Sequence, residues 1–274
     1  MTGTTAQQIA LISYGNEYLS NGTIHPNFDS DNSTFQYCNS VRFIEFKKPL
    51  FGSKPKTKVL TNSSTEWFKL LKQTGCKNLR LYFKHSEGNP QAPDHQLAGF
   101  VGGGGTWMIE AVHSDQSYYW ANRWEVTKEN DSNKKIWSVD YAIVTLGKDL
   151  QANAYNMNSI RAEFESIVTR VASFANKNNL NFWADFFNKS LKALSSEKPN
   201  EDFYHKDLII NDNYDLAVQQ LLFAAGSAWA FGGMGSWNDA WFENKEVLKE
   251  YEDLSAKLYD AVCQAIVAAT NSPK

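Results

Sequence analysis

The spacing of hydrophobic positions changes once along this chain. Up to Gly147 apolar residues tend to alternate with polar ones, and beyond it they recur every three or four positions. Residues 35–46 read as a long strand with Phe35, Tyr37, Val41 and Phe43 on one face. Residues 79–84 set Leu79, Leu81 and Phe83 against Arg80, Tyr82 and Lys84, the pattern of a half-buried strand. Residues 97–126 read as strands of an antiparallel meander, broken by four glycines at 102–105 and by Ser114-Asp115-Gln116. A last strand is expected over 136–146, after a turn at 130–134. Residues 8–18 fit a short strand or a helix equally well, and their periodicity does not decide.

One helix interrupts the strands. Ser63-Ser64-Thr65-Glu66 has the form of a capping box, with Trp67, Leu70, Leu71 and Thr74 following at helical spacing up to Gly75. It places a helix near 64–74. In the second half Ile160, Phe164, Ile167, Val168, Val171 and Ala175 form one stripe. Phe182, Trp183, Phe186, Phe187, Leu191 and Leu194 form a second, and Tyr214, Ala217, Leu221, Leu222 and Ala225 a third. Val247, Tyr251, Leu254, Leu258, Val262 and Ile266 mark a long fourth. Strands first and helices afterwards predict an α+β fold: an N-terminal antiparallel sheet over 1–150, then a layer of about four amphipathic helices over 151–274. The junction at 148–156 has neither Pro nor Gly, which predicts one integrated unit.

Size and charge narrow the function classes. A chain of 274 residues can bury a sizeable core unaided. Its net charge of −3 gives no general attraction to nucleic acid, so the basic run Lys47, Lys48, Lys54, Lys56, Lys58 is read as a solvated edge strand. No apolar run is long enough to span a membrane. No basic stretch leads into an apolar segment at the start, so no secretory signal is expected and a cytoplasmic protein is predicted. Cys38, Cys76 and Cys263 are odd in number and lack CxxC spacing, consistent with free thiols rather than a disulfide framework or zinc module.

Candidate chemistry is sparse. The glycine run enters Thr106-Trp107 and a strand, not the Gly-Lys-Ser/Thr and helix of a phosphate-binding loop. His25, His85, His95, His113 and His205 are scattered without metal-ligand spacing, so neither metal nor cofactor is predicted. Gly226-Ser227 and Gly235-Ser236 lack the frame of a hydrolase elbow. Glu110 and His113, three apart on one strand, face opposite sides. With Asp140 they are the candidates if the protein is a hydrolase with a carboxylate–imidazole site between sheet and helices.

Aromatic wealth points elsewhere. Nine tryptophans contribute to a 14% aromatic content, and such rings serve as core or as binding platform. Between residues 118 and 126 the alternation predicts Tyr119 and Arg123 exposed, with Trp120 and Trp124 buried behind them. Residues 229–241 combine Trp229, Trp237 and Trp241 with glycines, either plugging the end of the helical layer or forming a recognition loop with Trp237, Asn238 and Asp239. The sequence therefore predicts a non-catalytic protein that binds another protein or a small ligand through an aromatic-rich surface. A carbohydrate-binding module is a third class, weakened by the missing secretory signal. Thiol titration of the denatured, unreduced protein should return 3 equivalents, whereas a single one would reveal a disulfide.

Overall fold

A helix buried on every side over its first half holds the molecule together. In the computed structural model, which describes residues 1–47, 56–86, 93–100, 102–144 and 155–274, α1 (Gly3–Asn21) has every residue from 5 to 13 buried. Its first turn is capped by the Thr2 hydroxyl, which accepts from Thr5 N at 3.2 Å. It ends at Gly22, whose φ of 81° returns the backbone N–H to Tyr18 O. An element enclosed all round needs no apolar stripe, which is why its sequence lacks one.

After the short α2 (Phe28–Asp31) and a 3-10 turn at Ser33–Phe35, strands β1 (Cys38–Lys47) and β2 (Lys56–Thr61) pair antiparallel. Helix α3 (Ser64–Gln73) then carries the chain to the far edge of the sheet, where β3 (Asn78–Lys84) begins. The turn-length α4 (Asp94–Leu97) precedes β4 (Thr106–Val112), β5 (Ser117–Val126) and β6 (Trp137–Val144). The order across the six-stranded sheet is β2-β1-β6-β5-β4-β3. The sheet is not wholly antiparallel as expected: β6 returns alongside β1 in parallel, with Val41 opposite Val139 and Phe43 opposite Tyr141. The crossover through α3 dictates this, because β3 to β6 must turn back on one another to reach the open side of β1. Lys48, Pro49, Gly52, Lys54, Pro55, Pro90 and the junction residues 148–154 lie outside the described residues.

Four further helices follow: α5 (Met157–Lys177), α6 (Asn181–Ala193), α7 (Leu216–Ser227) and α8 (Lys245–Thr270). One sheet face turns Phe43, Leu81, Ile109, Trp120, Val139 and Tyr141 inward to a buried cluster that continues through α1 into α5, α7 and α8. Phe43 stacks on Trp67 of α3 at 4.3 Å between centroids and on Tyr141 at 5.3 Å. Among the described residues no helix is long and apolar enough to cross a membrane.

The glycine run is a packing device. Gly104 and Gly105 hold φ near 75° and 81°, conformations that favour glycine, and a Cβ on Gly105 would lie 2.6 Å from the Phe83 ring. Tyr259 of α8 donates its hydroxyl to Gly104 O, tying the loop to the helical half.

The outer edge of β3 is closed by two asparagines instead of a strand. Asn16 of α1 accepts from Leu79 N at 2.6 Å and donates to Leu79 O at 2.9 Å. Asn271, at the end of α8, does the same for Leu81 at 2.7 and 2.8 Å. Each amide reproduces the donor and acceptor of a neighbouring strand, so the edge is not open to foreign pairing. Asn16→Ala removes both bonds at Leu79 and should lower the unfolding free energy by about 1–3 kcal/mol in urea denaturation. A loss below about 0.5 kcal/mol would mean that water takes over the edge.

Candidate ligand-binding cleft

The parallel pair β1–β6 begins at one end of the sheet, and a cleft opens there. Cys38 is in register with Trp137. Val139, two residues further along β6, pairs with Trp124 of β5. This brings the Trp124 and Trp137 rings to 6.0 Å at an angle of 69°. The 3-10 turn supplies Ser33 and Thr34, the start of α1 supplies Met1 and Gly3, and the loop before α7 supplies Phe203, Tyr204 and His205. With Gln36, Tyr37 and Cys38 they enclose about 460 Å³. That is ample for a small molecule.

Its polar wall is a relay. Asp207 accepts from Ser33 N at 2.7 Å with one carboxylate oxygen and from the Ser33 hydroxyl with the other. His205 Nδ1 lies 2.8 Å from the same hydroxyl oxygen. The hydroxyl has one proton, and the carboxylate beside it is the better acceptor. Nδ1 of His205 therefore donates to Ser33, which leaves Nε2 as the unprotonated nitrogen of the neutral ring. Burial lowers the His205 pKa, outweighing the opposite pull of Asp207. At the rim Gln36 Nε2 donates to the Tyr204 hydroxyl, which is 3.3 Å from that of Tyr37. Burial pushes the Cys38 thiol up to about 11, so it is protonated, and it receives Gln7 Nε2 at 3.4 Å. It is no thiolate nucleophile.

The residues singled out from sequence are dispersed. Glu110 is buried and accepts from the Tyr119 hydroxyl at 3.0 Å. Tyr119, expected to be exposed, is 1% exposed and its pKa is raised, by burial first and then by Glu110. Arg123 is 79% exposed, 3.8 Å from Glu125. Asp140 is held by both Nε and Nη2 of Arg42 at 2.7 and 2.8 Å. The registers put Glu110 opposite Tyr119 and Asp140 opposite Arg123. At ordinary strand spacings the two carboxylates are then roughly 16 Å apart. His113 lies beyond β4, its ring nitrogens 3.2 Å from Ala111 O and 3.4 Å from Thr74 Oγ1. Glu110, His113 and Asp140 do not converge.

The second aromatic cluster is a plug at Trp237. Its indole N–H donates to Ser255 at 2.8 Å, its ring is fully buried, and Trp183 and Phe187 meet it at 5.6 and 5.3 Å. Asn238 donates to His95 O at 2.8 Å, and Asp239 accepts from Gly235 N. Sequence reasoning missed the grouping of Ser33 with His205 and Asp207, which lie 172 and 174 positions after it. No local spacing signals such a cluster. Among the described residues no group of His, Cys, Asp or Glu is arranged to hold a metal ion. No family model, curated protein or solved structure matches this chain.

A pH dependence follows from the buried imidazoles. His205 and His95 both have pKa values lowered by burial from the ordinary 6.5. Protons therefore favour the unfolded chain: this stability is fully present above pH 6.5 and lost as pH falls through the lower folded values. Denaturant midpoints should decline below that pH, and His205→Gln should make the decline shallower. An unchanged slope in the variant would show that His205 titrates as it does in water.

Proposed function

We propose that this is a non-catalytic binding protein whose small-molecule ligand seats in the cleft between the sheet and the loop before α7. The observation that carries the reading is the combination of Tyr37, Trp124, Trp137, Phe203 and Tyr204 with the Ser33–His205–Asp207 relay around one cavity. A mostly apolar wall with a few convergent polar groups is the usual composition of a ligand site. Sheet and helices would act as one unit here, since the wall draws on both. Free Cys38, Cys76 and Cys263 support a cytoplasmic setting. A protein partner would meet Arg123 and Glu125 on the other sheet face, both well exposed.

The relay also supports a second reading, a hydrolase with Ser33 as nucleophile. It is the weaker of the two. In a catalytic triad the imidazole accepts the serine proton, whereas here the carboxylate takes it and the imidazole donates. Asp207 also caps the backbone of the 3-10 turn, a structural task that accounts for its position.

Ligand-observed NMR with a library of neutral fragments tests the binding reading. Hits are expected, and Trp137→Ala and Tyr204→Ala should each abolish most of them. Tyr204 is 65% exposed, so its loss should leave stability within about 0.5 kcal/mol. An absence of hits, or hits indifferent to both substitutions, would set the cleft aside. Turnover of p-nitrophenyl acetate lost in Ser33→Ala would promote the hydrolase.

A further inference from the structure

Resting on that cleft as a ligand site, we propose that its ligand is an uncharged sugar of one or two pyranose rings. Two features of the wall select this chemistry: its lack of fixed charge and the angles between its rings.

Among the described residues no Asp, Glu, Lys or Arg side chain lines the cleft. Burial lowers the His205 pKa and raises that of Cys38, and that of the Tyr37 hydroxyl is raised by its bond with Tyr204, so these three wall groups are neutral near pH 7. Asp207 stands behind Ser33 with both oxygens committed to that residue. Lys135 is close enough to act on the Cys38 thiol but is not part of the wall. The amino group of Met1 donates to Gly226 O at 2.6 Å; it acts on His205 when charged, but burial lowers its pKa to about 5, so near pH 7 it is neutral. A charged ligand would lose its hydration shell here and gain no counter-charge, a large penalty in a half-enclosed site.

The rings meet steeply. Trp124 and Trp137 make an angle of 69°, and Tyr204 and His205 one of 79° at 4.7 Å. Phe203 and His205 make an angle of 59° at 6.5 Å, so the wall rings in contact with one another present their faces in different directions. Separate apolar faces at an angle suit a puckered ring, whose C–H groups can lie on one aromatic face while its hydroxyls point past the ring edges. Groups able to meet hydroxyls form one continuous strip of the wall: the Gln36 amide bonds Tyr204, whose hydroxyl is 3.3 Å from that of Tyr37 and whose ring meets His205, and His205 reaches Ser33. Hydroxyls both donate and accept, so each can be matched by either kind of partner. The volume of about 460 Å³ falls in the range of small-ligand pockets.

Isothermal titration calorimetry of the full chain supplies the test, with glucose, galactose, mannose, N-acetylglucosamine, maltose, cellobiose and lactose as the neutral sugars. Adenosine serves as the flat neutral probe and glucose 6-phosphate as the charged one. At least one neutral sugar should bind, glucose 6-phosphate should bind no tighter than glucose, and the affinity should be insensitive to salt. Tyr204→Ala and Trp137→Ala should each weaken the best sugar by about tenfold or more, as removal of a stacking anchor does. Tyr204→Phe, which keeps the ring and drops the hydroxyl, should weaken it less than Tyr204→Ala. Binding of adenosine or of the neutral fragments with no sugar bound would overturn the sugar inference and leave the cleft as a ligand site. Silence from sugars, adenosine and fragments alike would overturn both. A sugar whose affinity survives both alanine substitutions binds elsewhere, and the inference falls.

Discussion

Enclosing α1 from residue 5 to residue 13 sets its glutamine and serine side chains against neighbouring elements, and the rest of the structure is arranged around the bonds they make. Gln7 donates to Thr34 O at 3.2 Å and accepts from Tyr141 at 2.9 Å, joining the helix to the 3-10 turn and to β6. Gln8 donates to Trp107 O of β4 at 3.1 Å. Ser13 accepts from Ile210 N at 3.0 Å, fixing the loop before α7. Each of these groups would be expensive to leave unpaired in the core, so each bond specifies where its partner element must sit. A purely apolar helix would bury as well but would not choose among neighbouring registers.

The same helix sets up the cleft. Its first residues form part of the wall, and Gln7 contacts both Cys38 and the carbonyl of Thr34, two other wall residues. On the far side of the wall, Asp207 draws the loop of Phe203, Tyr204 and His205 onto the turn that Gln7 holds. The cavity is therefore bounded by segments anchored from below. That favours a preformed site over one assembled by its ligand. Gly15 allows α1 to come this close to the sheet, since a Cβ there would stand 2.6 Å from Leu79 Cδ1.

What could be read from the sequence was local. The box at Ser63 exists, with Glu66 N bonded to Ser63 Oγ at 3.2 Å, although the Glu66 carboxylate reaches back to Asn62 N instead of Ser63 N. All six residues of the Ile160–Ala175 stripe are buried in α5. These patterns depend on neighbours within a turn or two of the chain. The identity of α1 was hidden because burial all round erases the period that marks a helix. The parallel pairing of β1 with β6 was hidden because Arg42 and Asp140, which meet across it, are 98 positions apart. The relay of Ser33 with His205 and Asp207 was hidden for the same reason. Tyr119 shows the limit even of a correct alternation: it points away from Trp120 as the period requires, yet it is buried on Glu110.

That long separation also bears on how the chain reaches its native state. β1 pairs on one side with β2, which follows it directly, but its other neighbour is the last strand of the sheet. The edge of β3 is completed by Asn271, 190 positions after Leu81. Closing such distances before any contact rewards them slows folding. Until α8 arrives, α5, α7 and β3 lack the helix that packs against all three of them. A chain still lacking α8 therefore exposes apolar surface of these elements that the finished fold buries. Chaperone dependence and aggregation during expression are the practical signature of a fold completed by its last helix.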